Sequence, residues 1–252
     1  MAKASSKSRK KTPPKKRRTT RAKRQGPIRT LVRRVLRWSV RGVLAVCLLV
    51  FVLVLSLAFI RPPATPYMLA ERARLGSVTQ IWIPIEDMVP DLPRSVVAAE
   101  DANFCLHWGF DMAAIRAAID DGASRGASTL SQQTVKNLFL WQGRSWPRKA
   151  IEAMLTPLVE AAWPKERILE LYLNVAEFDD GVFGAEAASM AYFGKSASRL
   201  TAREAALLAA LLPDPKGRSA RAPSSFVDRR ARSIADGAAT IAADGRAECF
   251  QP

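Results

Sequence analysis

Apolar and polar positions divide the chain into stretches with different periods. Gly42 to Ile60 is continuously apolar, with no charged residue in 19 positions. At 1.5 Å per residue, a helix of that length covers the hydrocarbon core of a bilayer, about 30 Å. Beyond it, strand-like alternation is brief, as in Val78–Ile85. Helical spacing takes over in Ala113–Ile119 and Leu130–Leu138, and again in Ala150–Leu173, where breaks are predicted near Pro157 and Pro164. Thr201-Ala202-Arg203-Glu204 has the form of a capping box opening the apolar run Ala205–Leu212, which Pro213 and Pro215 stop. The pattern predicts a mostly α protein, either all-α or α with a small β element. It divides into a polar tail (1–41), a membrane-spanning helix (42–60), a connector (61–89) and one globular domain (90–252). No internal repeat is visible.

Charge changes the picture of the tail. The net charge of +16 suggests a nucleic-acid binder. Yet 17 of the 39 Lys and Arg fall in residues 1–41, which hold no Asp or Glu, leaving 22 to face all 23 acidic residues. The globular part is nearly neutral, a poor surface for DNA, and nucleic acid is not expected as a partner. Met1 to about Gln25 has almost nothing apolar to bury and is expected to be disordered. A buried core helix would show a polar face, and the apolar stretch has none. A cleaved signal peptide would be shorter and end in small residues, whereas this one ends Phe59-Ile60-Arg61-Pro62-Pro63. The basic flank orients the span with its N-terminus inside. Cys47 lies in the span, so only Cys105 and Cys249 are available to pair; so far apart, they are expected to stay unbridged.

Three constellations carry candidate chemistry. In the first, Glu100 and Asp101 emerge from the apolar run Val96-Val97-Ala98-Ala99, with the only histidine, His107, seven residues beyond Glu100 and Asp111 after it. A carboxylate leaving an apolar run can have the raised pKa that a general acid or base needs. The plain alternative makes Glu100 a surface acid, His107 a packed histidine and Asp111 a helix N-cap. The second constellation, Ser128, Thr129, Gln132, Gln133 and Lys136, gathers hydroxyls, carboxamides and an ammonium at a helix start. That set suits a phosphate, and equally an ordinary capped helix with a polar face. The third joins Arg144, Arg148 and Lys149 to Glu152. It reads either as a surface i,i+4 ion pair or as cations for a pyrophosphate leaving group beside a second carboxylate.

In combination these segments resemble the peptidoglycan glycosyltransferases of the lysozyme-like family, found alone or as the first module of bifunctional penicillin-binding proteins. Five segments match in order: AAEDANFCLHWGFD (98–111), GASTLSQQTVKNLFL (126–140), RKAIE (148–152), KERILELYLN (165–174) and GVFGAEAASMAYFGKSASRLTAREAALLAALLPDP (181–215). The wording from Gly126 to Ala153 is closer to the stand-alone, monofunctional biosynthetic enzymes. Leu130 and Ser131 depart mildly from the usual isoleucine and threonine.

The resemblance implies a lysozyme-like glycosyltransferase domain on one N-terminal transmembrane helix. The implied substrates are lipid II and the growing glycan strand. Glu100 matches the catalytic base and Glu152 the second glutamate. Lys136, Arg144, Arg148 and Lys149 match positions that stabilise the leaving group. Ser128, Thr129, Gln132, Gln133, Asp101 and His107 fall among the binding positions, with structural support an equal role for His107, Asp111 and Asn174. No cofactor is obligatory; Mg²⁺ at the donor pyrophosphate is the one candidate, although no ligand cluster demands it. The expected location is the bacterial inner membrane, single-pass, with a cytoplasmic N-terminus and a periplasmic catalytic domain. Other cell-wall synthesis or division proteins are the further partners to expect. No penicillin-binding activity is expected, because the only Ser-x-x-Lys is Ser8-Arg9-Lys10-Lys11 in the tail. A lytic enzyme would share a glutamate in a helical domain but needs no pyrophosphate site, so the cations weigh against it.

Overall fold

The computed structural model describes residues 27–122 and 126–251, omitting the side chains of residues 27, 28 and 30. The tail from Met1 to Gln25 lies outside the described residues. The first helix, α1 (Pro27–Leu57), starts 15 residues before Gly42. Arginines at 29, 33, 37 and 41 alternate with Leu31, Val32, Val35 and Leu36, so the basic flank itself has helical periodicity. Leu31–Leu57 is, among the described residues, the one helix long and apolar enough to cross a membrane.

Two units meet between Leu49 and Val50: the described part of α1 up to Leu49, and the described chain from Val50 onward. Within the second, the last turns of α1 are held by the domain. Val54 is fully buried, and its carbonyl accepts from Trp163 Nε1 at 2.8 Å. Arg167 donates to the Leu57 and Ile60 carbonyls at 2.9 and 2.8 Å.

Residues 61–89, expected to be a mere connector, belong to the domain. Thr65 caps α2 (Pro66–Leu75), with Pro66 in its first turn. β1 (Thr79–Gln80) pairs in parallel with β3 (Val182–Phe183), which pairs antiparallel with β2 (Glu177–Asp179), giving the order β1-β3-β2. A third of the sheet thus comes from the supposed connector, because β3 supplies a partner from 100 residues further along.

The remaining helices are α3 (Asp91–Glu100), α4 (Met112–Asp120), α5 (Leu130–Phe139), α6 (Trp146–Ala162), α7 (Lys165–Val175), α8 (Ala185–Phe193), α9 (Ala202–Leu211) and α10 (Ser225–Ala243). The capping box predicted at Thr201–Glu204 is formed. Asp111 caps α4, accepting from Ala114 N at 2.8 Å. Pro157 does not break α6. Thr156 and Val159 are fully buried beside it, and that packing outweighs the one helix hydrogen bond a proline removes. The break falls at Pro164, just before α7. The core joins α3, α9 and α10 on one side and α5, α6 and α7 on the other; seven successive residues of α9, Ala205 to Leu211, are buried.

The expectation for the cysteines is overturned: Cys105 and Cys249 form a disulfide with a Cα–Cα separation of 5.7 Å. α10 packs along α3 and returns the chain end to the 3₁₀ turn Phe104–Leu106. Sequence distance carried no information about that return.

Candidate active site

Glu100 is the last residue of α3, and Asp101 leaves helical geometry at once with φ −163°. Burial pushes the Glu100 carboxyl above the ordinary carboxylate range. The Gln133 hydrogen bond and the charges of Arg230, Lys136 and Arg218 oppose that rise. Gln133 Nε2 donates to Glu100 Oε2 at 2.9 Å, and Tyr172 OH donates to Gln133 Oε1 at 3.2 Å, so the amide is fixed from both ends. Glu100 Oε1 is buried and has no hydrogen-bond partner among the described residues. The result is a carboxylate held on one oxygen and unpartnered on the other.

Lys136 follows Gln133 by three positions on α5, and both line a cleft of about 310 Å³ with Tyr67, Tyr172 and Lys216. Burial lowers the proton affinity of Lys136. The charges of Glu152 and Glu100 raise it, and those of Arg148 and Lys149 lower it further.

Ser145 caps α6 and Pro147 lies in its first turn, which places Arg148, Lys149 and Glu152 on one face. Arg148 Nη1 meets Glu152 Oε2 at 2.7 Å, while Lys149 Nζ reaches Glu152 Oε1 and donates to Ser128 Oγ at 2.9 Å. Glu152 is only 2% exposed, so it is a buried counter-charge rather than half of a surface pair. Three cations, Lys136, Arg148 and Lys149, surround this one carboxylate. Arg144 stands apart on an exposed rim, lining a groove of about 290 Å³ with Trp146, Arg148 and Lys149.

Four of the candidate binding residues are committed elsewhere. Thr129 and Gln132 form a reciprocal capping box on α5, and Thr129 Oγ1 donates to Gly109 O at 2.7 Å. Asp101 accepts from Leu130 N and from His107 Nε2, each at 2.9 Å. These bonds tie the end of α3 to the start of α5, so Glu100 and Gln133 meet. Both Asp101 and His107 are largely buried, and bracing is what their contacts describe. Asn174 is fully buried and braces Ile83 through both its amide oxygen and nitrogen. Beneath α5, Ser131 Oγ donates to Glu160, which Lys165 also pairs at 2.8 Å.

Gly109 shows how close this packing is. Its φ is +85°, and a Cβ there would lie 2.7 Å from Thr156 Cγ2.

Sequence reading missed Arg230, Arg218, Tyr172 and Lys216. Arg230 lies 130 residues beyond Glu100 on an amphipathic helix, and nothing local distinguishes it from a solvated charge.

Residues 69–239 match the sequence model of the transglycosylase family, and the chain belongs to that family. It is a glycosyltransferase. Its relatives include proteins named biosynthetic peptidoglycan transglycosylase. That of Jannaschia sp. (strain CCS1) is 61% identical over 222 residues, covering 88% of this chain and 93% of its own. That of Stutzerimonas stutzeri (strain A1501) is 52% identical over 192 residues, covering 72% and 79%. That of Rhodospirillum centenum (strain ATCC 51521 / SW) is 44% identical over 226 residues, covering 88% and 98%.

Proposed function

We propose that this chain polymerises lipid II into β-1,4-linked glycan strands for the bacterial cell wall, with Glu100 as general base. The reading rests above all on the half-held Glu100 carboxylate, close enough to Lys136 for the two charges to act on each other. Glu100 Oε1 takes the proton of the acceptor sugar's 4-hydroxyl as that oxygen attacks C1 of the donor. The C1–O bond to the α-linked pyrophosphate breaks, and the anomeric centre inverts. The departing undecaprenyl pyrophosphate carries away the bonding pair, and its developing charge meets Lys136, Arg148 and Lys149, with Arg144 on the rim. Glu152 keeps Arg148 and Lys149 in place so that buried like charges do not spread apart.

No step is assigned to a divalent ion. Glu152 already holds a cation on each oxygen. The cluster Glu71, Glu177 and Asp180 is bridged by Lys216 and, at Glu71 and Asp180, by Arg74. Each of these carboxylates already pairs with a cation of the chain.

The setting of the reaction follows from the same features. Leu31–Leu57 serves as a single membrane span with its basic end in the cytoplasm, and the domain works outside the inner membrane, where the lipid-linked substrate is met. The Cys105–Cys249 bond supports that placement, since disulfides persist in oxidising compartments.

The test is polymerisation of labelled lipid II by the detergent-solubilised full chain beside Glu100→Gln. Long strands from the wild type and none from the variant support both reaction and base. Untouched lipid II together with shortened preformed glycan would replace the reading with a lytic one.

A further inference from the structure

The family match ends at residue 239, while the ordered chain continues to residue 251. This last segment attaches to the element that carries Glu100 at three places. Gln251 Nε2 donates to Pro90 O at 3.0 Å, just before α3 begins. Arg246 Nη1 donates to Ala102 O at 3.1 Å, two residues after Glu100. Cys249 is bonded to Cys105. Ala247 and Phe250 are buried, and the Phe250 ring lies 6.3 Å from that of Phe104. Earlier on α10, Arg230 Nη2 donates to Ala99 O at 3.4 Å, and Gly237 lies against Ala98, where an added Cβ would come within 3.2 Å of the Ala98 Cβ. α10 and its extension therefore hold α3 along its length, and the disulfide closes the hold from below.

We propose that residues 244–251, locked by the Cys105–Cys249 bond, form a clasp that positions Glu100, so that the covalent state of this bond sets the rate of turnover. The inference rests on Glu100 being the base. Glu100 faces Lys136 from α5, Tyr172 from α7, Arg218 from the loop after α9 and Arg230 from α10. Of these, only Arg230 rides on the helix whose far end the clasp anchors. Opening the bond frees that end, loosens the Ala99–Arg230 contact and weakens the positive charge at Glu100. Reduction by a dithiol reagent transfers two electrons and two protons, yielding two cysteine thiols and the cyclic disulfide of the reagent.

The test uses the full chain carrying Cys47→Ser, which removes the one free thiol among the described residues. Lipid II polymerisation is followed across pH before and after dithiol treatment, and in the variant Cys105→Ala/Cys249→Ala. On opening the bond, kcat falls about 3–10-fold, KM stays within about twofold, and the acidic limb of the rate profile moves to higher pH. Deuterium uptake over residues 100–107 rises while the far-ultraviolet circular dichroism is retained. A folded, reduced protein with unchanged kcat and pH profile overturns the proposal, because the bond is then a stability cross-link alone. Unfolding on reduction at every temperature where the oxidised protein turns over overturns it equally. If the oxidised chain itself fails to polymerise lipid II, the functional reading fails, and the deuterium uptake alone then decides whether the clasp orders residues 100–107.

Discussion

Gln133 Nε2 lies 2.9 Å from Glu100 Oε2, and among the described residues this is the one hydrogen bond to that carboxylate. The pairing joins the last residue of α3 to the first turn of α5 and leaves Oε1 buried without a partner. A burial-raised carboxyl steadied by a single amide is better suited to taking a proton than an ordinary exposed carboxylate.

Removing the amide tests that balance. In Gln133→Ala the lowering effect of the hydrogen bond is lost, so the Glu100 carboxyl rises further. The acidic limb of kcat/KM moves to higher pH, and kcat at pH 7 falls about 10–100-fold. A pH–rate profile of the variant checks this; an unmoved limb would remove Gln133 from the base's environment.

Glu100→Gln is expected to abolish activity and yet raise stability. With its folded pKa above the unfolded one, Glu100 contributes most below the unfolded value, and the contribution is lost as pH rises through the folded pKa. At pH 8, above the unfolded value, burying this carboxyl is a burden that glutamine lacks. Tm of the variant should exceed that of wild type by about 2 °C or more at pH 8, with the gap closing toward pH 4. Calorimetry at the two pH values reads the difference.

Lys136 supplies the opposite limb. Burial lowers its proton affinity, so its charge is lost at lower pH than for an ordinary lysine. The rate profile should be a bell narrowed from both sides. Lys136→Met should lose about 100-fold or more in kcat with Tm unchanged or higher, whereas Lys136→Arg should retain part of the rate. Equal losses in the two variants would argue for packing rather than charge.

The Glu152 pair predicts a stability loss. Glu152→Gln leaves Arg148, itself mostly buried, without its counter-charge. Breaking a buried pair on one side costs about 3–5 kcal/mol, and denaturant unfolding measures it. Replacing both Arg148 and Glu152 with methionine should recover much of the stability and none of the activity.

Gly109→Ala meets two obstacles at once, a φ of +85° and the Thr156 methyl at 2.7 Å. It should destabilise by about 2 kcal/mol or more. Thr156→Ser removes that methyl, so the double variant should be less destabilised than the sum of the singles. A double-mutant cycle decides this; strict additivity would assign the whole cost to the backbone.

Periodicity, punctuation and composition by themselves determined the apolar span, the helical stretches that became α4, α5, α6, α7 and α9, the capping box at Thr201 and the stop at Pro164. They did so because helix formation and capping are decided within about one turn of chain. The ordered motifs also marked Glu100, Lys136, Arg148, Lys149 and Glu152 as one set. Local signals could not say which polar residues face a ligand. Thr129, Gln132, Asp101 and His107 carry the same side chains whether they bind substrate or brace two helices, and only the packing of α3 against α5 reveals the bracing bonds they make. Tertiary structure also drew Thr79–Gln80 into the sheet, carried α6 through Pro157, set Arg230 beside Glu100 and closed Cys105 onto Cys249. Each of these depends on a partner distant in sequence, whose approach is set by burial summed over the whole domain.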